Sequence, residues 1–179
     1  KYLPPYQKAL DAGVGTVMAS FNSINDLKCH ANGYLFNDLL KDEMGFDGFV
    51  ISDWQGIDEI PGDYKSDIIN SVNAGIDMIM VPGAVPHGGE HYKTFLRLFK
   101  EAVDEGLITE ERLNDAVRRI MRIKYRSGLM NNPMTDRTLL EKAGSIEHKD
   151  LAREAVQKSQ VLLKNDGLLP LNKSNNYFV

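Results

Sequence analysis

Apolar positions along the 179-residue chain fall into two patterns, short continuous runs and one-sided helical stripes. Three runs read as strands: 14–21 (VGTVMASF), 48–52 (GFVIS) and 76–81 (IDMIMV). Phe49, Val50 and Ile51 follow one another without polar alternation, which predicts a strand covered on both faces, as in a parallel sheet. Stripes lie between the runs. A short helix over about 6–12 ends at Gly13. Asn32 is placed to cap a helix reaching Met44, with Leu35, Leu39 and Leu40 on one side and Gly45 as its stop. A polar loop over 55–63 leads into a helix over about 66–74, ended by Gly75. Strand starts recur about every thirty residues, the size of a βαβ unit.

The pattern changes after Val81. Residues 82–90 form a loop rich in Gly, Pro and His, and 92–105 is amphipathic, with Phe95, Leu98, Phe99, Ala102 and Val103 on one side. Thr109 caps a longer helix to Tyr125, with Glu110 and Glu111 in its positive first turn, and Gly128 ends it. An extended connector over 131–136 precedes a helix over 148–158, a further strand over 159–163, a turn and linker over 166–171, and a polar segment over 172–176. Three buried strands cannot close an eight-stranded barrel. An open doubly wound sheet of three or four strands is the alternative, but the third run is followed by two helices and no further parallel partner. The expected fold class is therefore α/β, the last part of a barrel followed by a connection to something else, with the division at 1–130 and 131–179.

Composition narrows the function classes. The formal net charge is −4 and no basic run exceeds Arg118-Arg119, which argues against a nucleic-acid surface. Cys29 is the single cysteine, so no internal disulfide or thiolate metal cluster is expected. No apolar stretch has membrane length, and the opening Lys1-Tyr2-Leu3-Pro4-Pro5 reads as the interior of a longer polypeptide. Gly13-x-Gly15 precedes a strand, so it is no dinucleotide fingerprint. His87 and His91 sit in a HGGEH loop rather than a helical H-E-x-x-H, which points away from a metal site. No P-loop or serine nucleophile elbow is present, and no cofactor or metal is expected.

Candidate chemistry gathers at Ser52-Asp53-Trp54. Sites of parallel α/β folds lie beyond the carboxyl ends of the strands. Asp53 stands there as either a nucleophilic carboxylate or a cap for the following turn. Trp54 beside it is either a platform for the apolar face of a sugar or a core aromatic. Met80, at the end of the third run, is either a pocket wall or plain packing. Lys28 and His30, after the first run, either shape a pocket rim or serve the fold.

The stretches MASFNSINDLKCHAN, LKDEMGFDGFVISDWQGIDEI, NAGIDMIMVPG, RLNDAVRRIMRIKYRSGLMNNP and LAREAVQKSQVLLKNDGLLPL follow one another as in family 3 glycoside hydrolases. Nearly the whole chain resembles the β-glucosidase and exo-β-glucanase branch. The resemblance implies a (β/α)8 TIM-type barrel followed by an α/β sandwich domain, with this chain carrying about strands 6–8 and the linker between them. It implies a retaining hydrolase acting on a β-glucoside or β-glucan oligosaccharide, with Asp53 as nucleophile, Trp54 stacking on the sugar and Met80 walling the pocket. A retaining mechanism wants an ionised carboxylate near the anomeric carbon and a protonated partner about 5 Å from it. Phe21 departs from the pattern. Relatives commonly carry tyrosine there, and losing its hydroxyl leaves Asp53 one donor short unless Ser20, Asn22 or water replaces it, which disfavours the ionised form and bears on rate and pH optimum.

The resemblance also implies that the general acid/base comes from the second domain and that earlier strands hold the sugar hydroxyls. The expected partners are thus the N-terminal barrel half and second domain of the same enzyme, and the isolated chain is expected to be inactive. No nucleic-acid or membrane partner is expected, and a secreted or periplasmic location is what the resemblance favours. The alternative reading is a non-catalytic carbohydrate-binding or scaffold derivative of the same fold.

Overall fold

The computed structural model describes residues 2–83 and 91–176. Backbone contacts divide the chain into two units, the boundary lying between Pro133 and Met134.

The first unit opens with helix α1 (Leu3–Asp11), with Pro4 and Pro5 in its first turn, where a missing N–H costs nothing. Strand β1 (Thr16–Met18) pairs in parallel with β4 (Phe49–Ile51), in the register Thr16 to Phe49, Val17 to Val50 and Met18 to Ile51. Residues 76–80 lie along the other edge of β4. Val50 O accepts the N–H groups of Asp77 and Met78 at 2.9 and 3.1 Å, Ser52 N–H donates to Met78 O at 2.9 Å, and Ile51 and Met78 form a parallel bridge. Thus β4 is central and buried, as its unbroken apolar run predicts: Val50 is 0% exposed.

The flanking runs are shorter than their sequence pattern suggests. The run 14–21 yields three strand residues, and 76–81 yields a single bridge rather than a full strand. Each has a ladder partner on one side only among the described residues, and Met18 is 51% exposed.

Between β1 and β4 the chain forms a hairpin, β2 (Ser23–Ile24) against β3 (Leu27–Lys28). Asn25 and Asp26 both take left-handed backbone angles, φ 51° and 64°, the requirement of a tight two-residue hairpin turn. A 3-10 turn, Cys29–Ala31, follows. The helical segment Tyr34–Glu43 is wound with i→i+5 bonds instead of as the expected α-helix. The widened turn puts Phe36, Leu40 and Lys41 on one buried face, and Asn32 Oδ1 accepts Leu35 N–H at its start. This face packs on the sheet through Ala19, Phe46, Val50 and Ile76.

After β4 a 3-10 turn, Gly56–Glu59, leads to α2 (Tyr64–Asn73), capped by the Asp63 carboxylate on Ser66 N–H at 3.0 Å. Helix α3 (His91–Asp104) packs on α2, and a second core joins Ile57, Ile60, Ile68, Val72, Ala102 and Ile108. Thr109 caps α4 (Glu110–Arg126) by accepting Arg112 N–H. Only Ala116 of the α4 stripe is fully buried, while Val117 and Met121 are 49% and 41% exposed.

The second unit holds a 3-10 turn, Arg137–Lys142, which the sequence pattern does not signal, and α5 (Ile146–Ser159), capped by Ser145. The strand expected over 159–163 does not form. Ser159 ends α5, no residue there pairs in a ladder, and Leu163 is 91% exposed. An extended apolar segment becomes a strand only when a neighbour takes its backbone hydrogen bonds, and none of the described residues does. Asn165 closes the turn after it, bonding Leu169 at both N–H and C=O, each at 3.0 Å. Among the described residues, no helix is long and apolar enough to cross a membrane.

Candidate active site

The end of β4 is a tightly bonded turn. Ser52 is fully buried, its hydroxyl donating to Asp53 O at 2.9 Å and accepting Met80 N–H at 2.8 Å. Gly56 N–H also donates to Asp53 O, at 3.1 Å, and Gln55 takes φ 54° between them. Asp53 Oδ1 accepts Trp54 N–H at 2.6 Å, so half of the carboxylate does behave as a local cap, while Oδ2 is left out of that turn. Trp54 is 55% exposed in this chain and takes no part in either of its two buried clusters. Met80 is half-buried, and its backbone is tied to both sides of Asp53, through Ser52 Oγ and through Gln55 N–H at 3.4 Å. Asp53, Trp54 and Met80 are therefore brought to one strand end.

Phe21 reaches the same place indirectly. Its ring meets the His30 imidazole edge-on, with centroids 6.0 Å apart, and is 40% exposed. His30 is 1% exposed and lies beneath the turn, with Nε2 accepting Asp53 N–H at 3.1 Å. Burial pushes the His30 pKa down, the Asp53 charge opposes that shift, and Lys28 reinforces it. Lys28 Nζ meets Glu59 Oε2 at 3.4 Å across the mouth of the turn. Of the groups expected to replace the tyrosine hydroxyl, Ser20 Oγ instead accepts Asn22 N–H at 3.3 Å.

Behind this turn, Asp58 Oδ2 lies 3.3 Å from His91 Nε2, within ion-pair range though not aligned as a hydrogen bond. The His91 ring packs on Tyr64 at 4.5 Å. Asp67, 4% exposed, sits nearby with Oδ1 unbonded; burial, then the Asp58 and Asp63 charges, push its carboxyl up to about 6. The His87 part of the HGGEH motif lies outside the described residues. Among those described, no group of three His, Cys, Asp or Glu side chains could hold a metal ion.

The opposite end of the strands carries a second charged cluster. Asp77, whose side chain is 0% exposed, accepts Val50 N–H at 2.8 Å and Lys41 Nζ at 2.9 Å, and pairs with Arg112. Lys41 also donates to Gly75 O at 2.7 Å; burial pulls its pKa down to about 8 against the attraction of Asp77. Arg119 donates to Phe46 O and Gly48 O at 2.8 and 3.0 Å, fastening α4 to the turn before β4. Asp77 and Lys41 carry no recognisable motif, and sequence reasoning passed them over. The one available signal was an acid inside an apolar strand run.

Open clefts flank the sheet. One, of about 650 Å³, runs along the free edge of β1 and is lined by Tyr6, Val17, Met18, Ile24, Leu35 and Leu39 among others. A smaller one, of about 360 Å³, lies between the Gly13–Gly15 turn and α4. Neither includes Asp53.

The sequence profile of the glycosyl hydrolase family 3 N terminal domain matches residues 1–123. The chain belongs to glycosyl hydrolase family 3. That domain is TIM-barrel-like, consistent with the parallel α/β arrangement around β4. A periplasmic β-glucosidase of Salmonella typhimurium is 35% identical over 99% of the chain and 24% of its own length. A β-xylosidase of Formosa agariphila is 34% identical over 97% and 25%. Among solved structures, an exo-1,3/1,4-β-glucanase from a Pseudoalteromonas species superposes with a TM-score of 0.72 at 40% identity, covering 94% of the chain and 21% of that structure. A Listeria innocua β-glucosidase in complex with glucose gives 0.69 at 32% identity, covering 94% and 23%. The chain spans about a quarter of the length of the relatives it matches.

Proposed function

We propose that this chain is the part of a retaining β-glycosidase that carries its nucleophile, acting on terminal β-linked glucose of glucosides or β-glucans through a glycosyl-enzyme intermediate on Asp53. The observation that carries the reading is the Asp53 turn itself. A carboxylate stands at the carboxyl end of the central parallel strand, its backbone held at both N–H and C=O, with an exposed indole beside it. Fixed backbone matters because covalent catalysis depends on holding the attacking oxygen in reach of the anomeric carbon. The names of the relatives, β-glucosidases, a β-xylosidase and an exo-β-glucanase, support the substrate class.

In this reading residues 1–130 are about strands 6–8 of the barrel, and 131–179 lead toward the second domain. The half-open edges of the sheet and the apolar cleft along β1 are where further barrel elements would pack. As the family resemblance implies, the proton donor comes from the second domain of the longer polypeptide. Without a donor to the leaving oxygen, the chain alone turns over little substrate. Trp54 offers a stacking face and Met80 an apolar wall, while Phe21 packs on His30 rather than bonding Asp53. An extracytoplasmic location is supported by the periplasmic Salmonella typhimurium and lysosomal Dictyostelium discoideum relatives.

The test is mechanism-based labelling of the longer polypeptide with a 2-deoxy-2-fluoro-glucoside carrying an activated leaving group. Covalent mass gain on Asp53, lost in Asp53→Asn, is the expected result. Label on another residue, or full turnover by Asp53→Asn, overturns the assignment.

A further inference from the structure

We propose that His30 is a positioning residue for Asp53, its buried imidazole standing in for a strand neighbour and fixing the direction in which the carboxylate leaves β4. The inference deepens the glycosidase reading and rests on it.

The argument begins with the alternation of a parallel ladder. Along β4, Phe49 N–H donates to Gly15 O and Ile51 O accepts Ala19 N–H, both on the β1 side. The intervening Val50 and Ser52 face residues 77–78 on the other side. The next group due to face β1 is Asp53 N–H. By then the chain has left β1, which ends at Met18, and has turned through Ser20 and Phe21 into the β2–β3 hairpin. The hairpin returns the chain as the Cys29–Ala31 turn, and His30 Nε2 takes the Asp53 N–H at 3.1 Å, where a strand carbonyl would have been.

The surroundings are built for the ring. His30 is 1% exposed, and Phe21 holds its edge. A Cβ at position 56 would stand 2.2 Å from Nε2 and 2.4 Å from Cε1, so only glycine leaves the imidazole its space. The Asp53 carbonyl has two donors, Ser52 Oγ and Gly56 N–H, but the N–H has His30 alone among the described bonds. Losing that acceptor leaves the Asp53 N–H unpaired and loosens the backbone on the N-terminal side of the residue that carries the carboxylate.

Accepting at Nε2 requires the neutral tautomer with its proton on Nδ1. Burial favours that neutral form; the charged groups facing the ring are Asp53, which opposes the shift, and Lys28, itself paired with Glu59. Protonation of Nε2 would set two N–H groups against each other.

The experiment compares His30→Gln, whose amide oxygen can still reach the Asp53 N–H, with His30→Met, which fills similar space without an acceptor. Both are made in the longer polypeptide and read by the rate of fluoro-glucoside labelling at Asp53. His30→Met should lower the saturating labelling rate about tenfold, with inhibitor affinity little changed, while His30→Gln stays within about threefold of the parent. Nitrogen-15 NMR of the His30 ring in the longer polypeptide should show Nε2 unprotonated at neutral pH. Parent-like labelling by His30→Met, equal losses in both variants, or a protonated Nε2 overturns the proposal. If His30→Met fails to fold, His30→Gln and the NMR spectrum still decide it. If the parent takes no label on Asp53, the glycosidase reading fails, and the tautomer alone supports or overturns the contact.

Discussion

Replacing Asp77 by Asn should be among the most damaging single changes in the first unit. The Asp77 side chain is 0% exposed and serves three partners at once: Lys41 Nζ at 2.9 Å, Val50 N–H at 2.8 Å and Arg112. Asparagine keeps the shape and one acceptor but removes the charge. Lys41, 3% exposed, is left with Gly75 O at 2.7 Å and Asp115 at 3.9 Å, the latter half-open to solvent. Removing one member of a buried ion pair costs about 3–5 kcal/mol, because the survivor stays desolvated without its counter-charge. Single domains hold about 5–15 kcal/mol in total, so much of that margin would go. Urea unfolding followed by circular dichroism at pH 7 gives the number. Lys41→Met in the Asp77→Asn background should recover at least half of the loss, since the buried ammonium is then gone and Arg112 keeps the Asp115 carboxylate at 2.8 Å. A cost under about 1 kcal/mol, or no coupling between the two sites, would refute the claim that this cluster holds the strand starts together.

Two further changes test other packing claims. Asp67 has a raised carboxyl pKa, about 6 against an ordinary 3.8, so the folded chain binds its proton more tightly and stability falls as pH rises through that window. Asp67→Asn should therefore stabilise by about 3 kcal/mol at pH 8 and by nothing measurable near pH 4, with unfolding curves at the two pH values as the check. Gly48→Ala should destabilise by about 1–3 kcal/mol in a thermal melt, because the new methyl carbon would stand 2.2 Å from Gly15 O and 2.6 Å from the buried Phe46 ring. A parent-like melting temperature would show that β1 and β4 can part there without loss.

What the sequence settled by itself was local in origin. The unbroken Phe49-Val50-Ile51 run announced the central strand, and Thr109 with its acidic first turn announced α4. Asn25-Asp26 forms a two-residue hairpin turn, but its flanks, Ser23-Ile24 and Leu27-Lys28, are too short to show a strand pattern. The run Val161-Leu162-Leu163 misled, because apolar composition shows what could pair and not whether a partner is there. The same reason explains why β1 and residues 76–80 came out shorter than their patterns. Only tertiary structure put His30 under Asp53 and Lys41 against Asp77, residues 23 and 36 positions apart. Those contacts depend on a two-residue turn's angle and a helix wound wider than α, and neither quantity is written in hydrophobic spacing. Local propensity thus located the carboxylate at a strand end. Long-range packing decided which side chains hold it there.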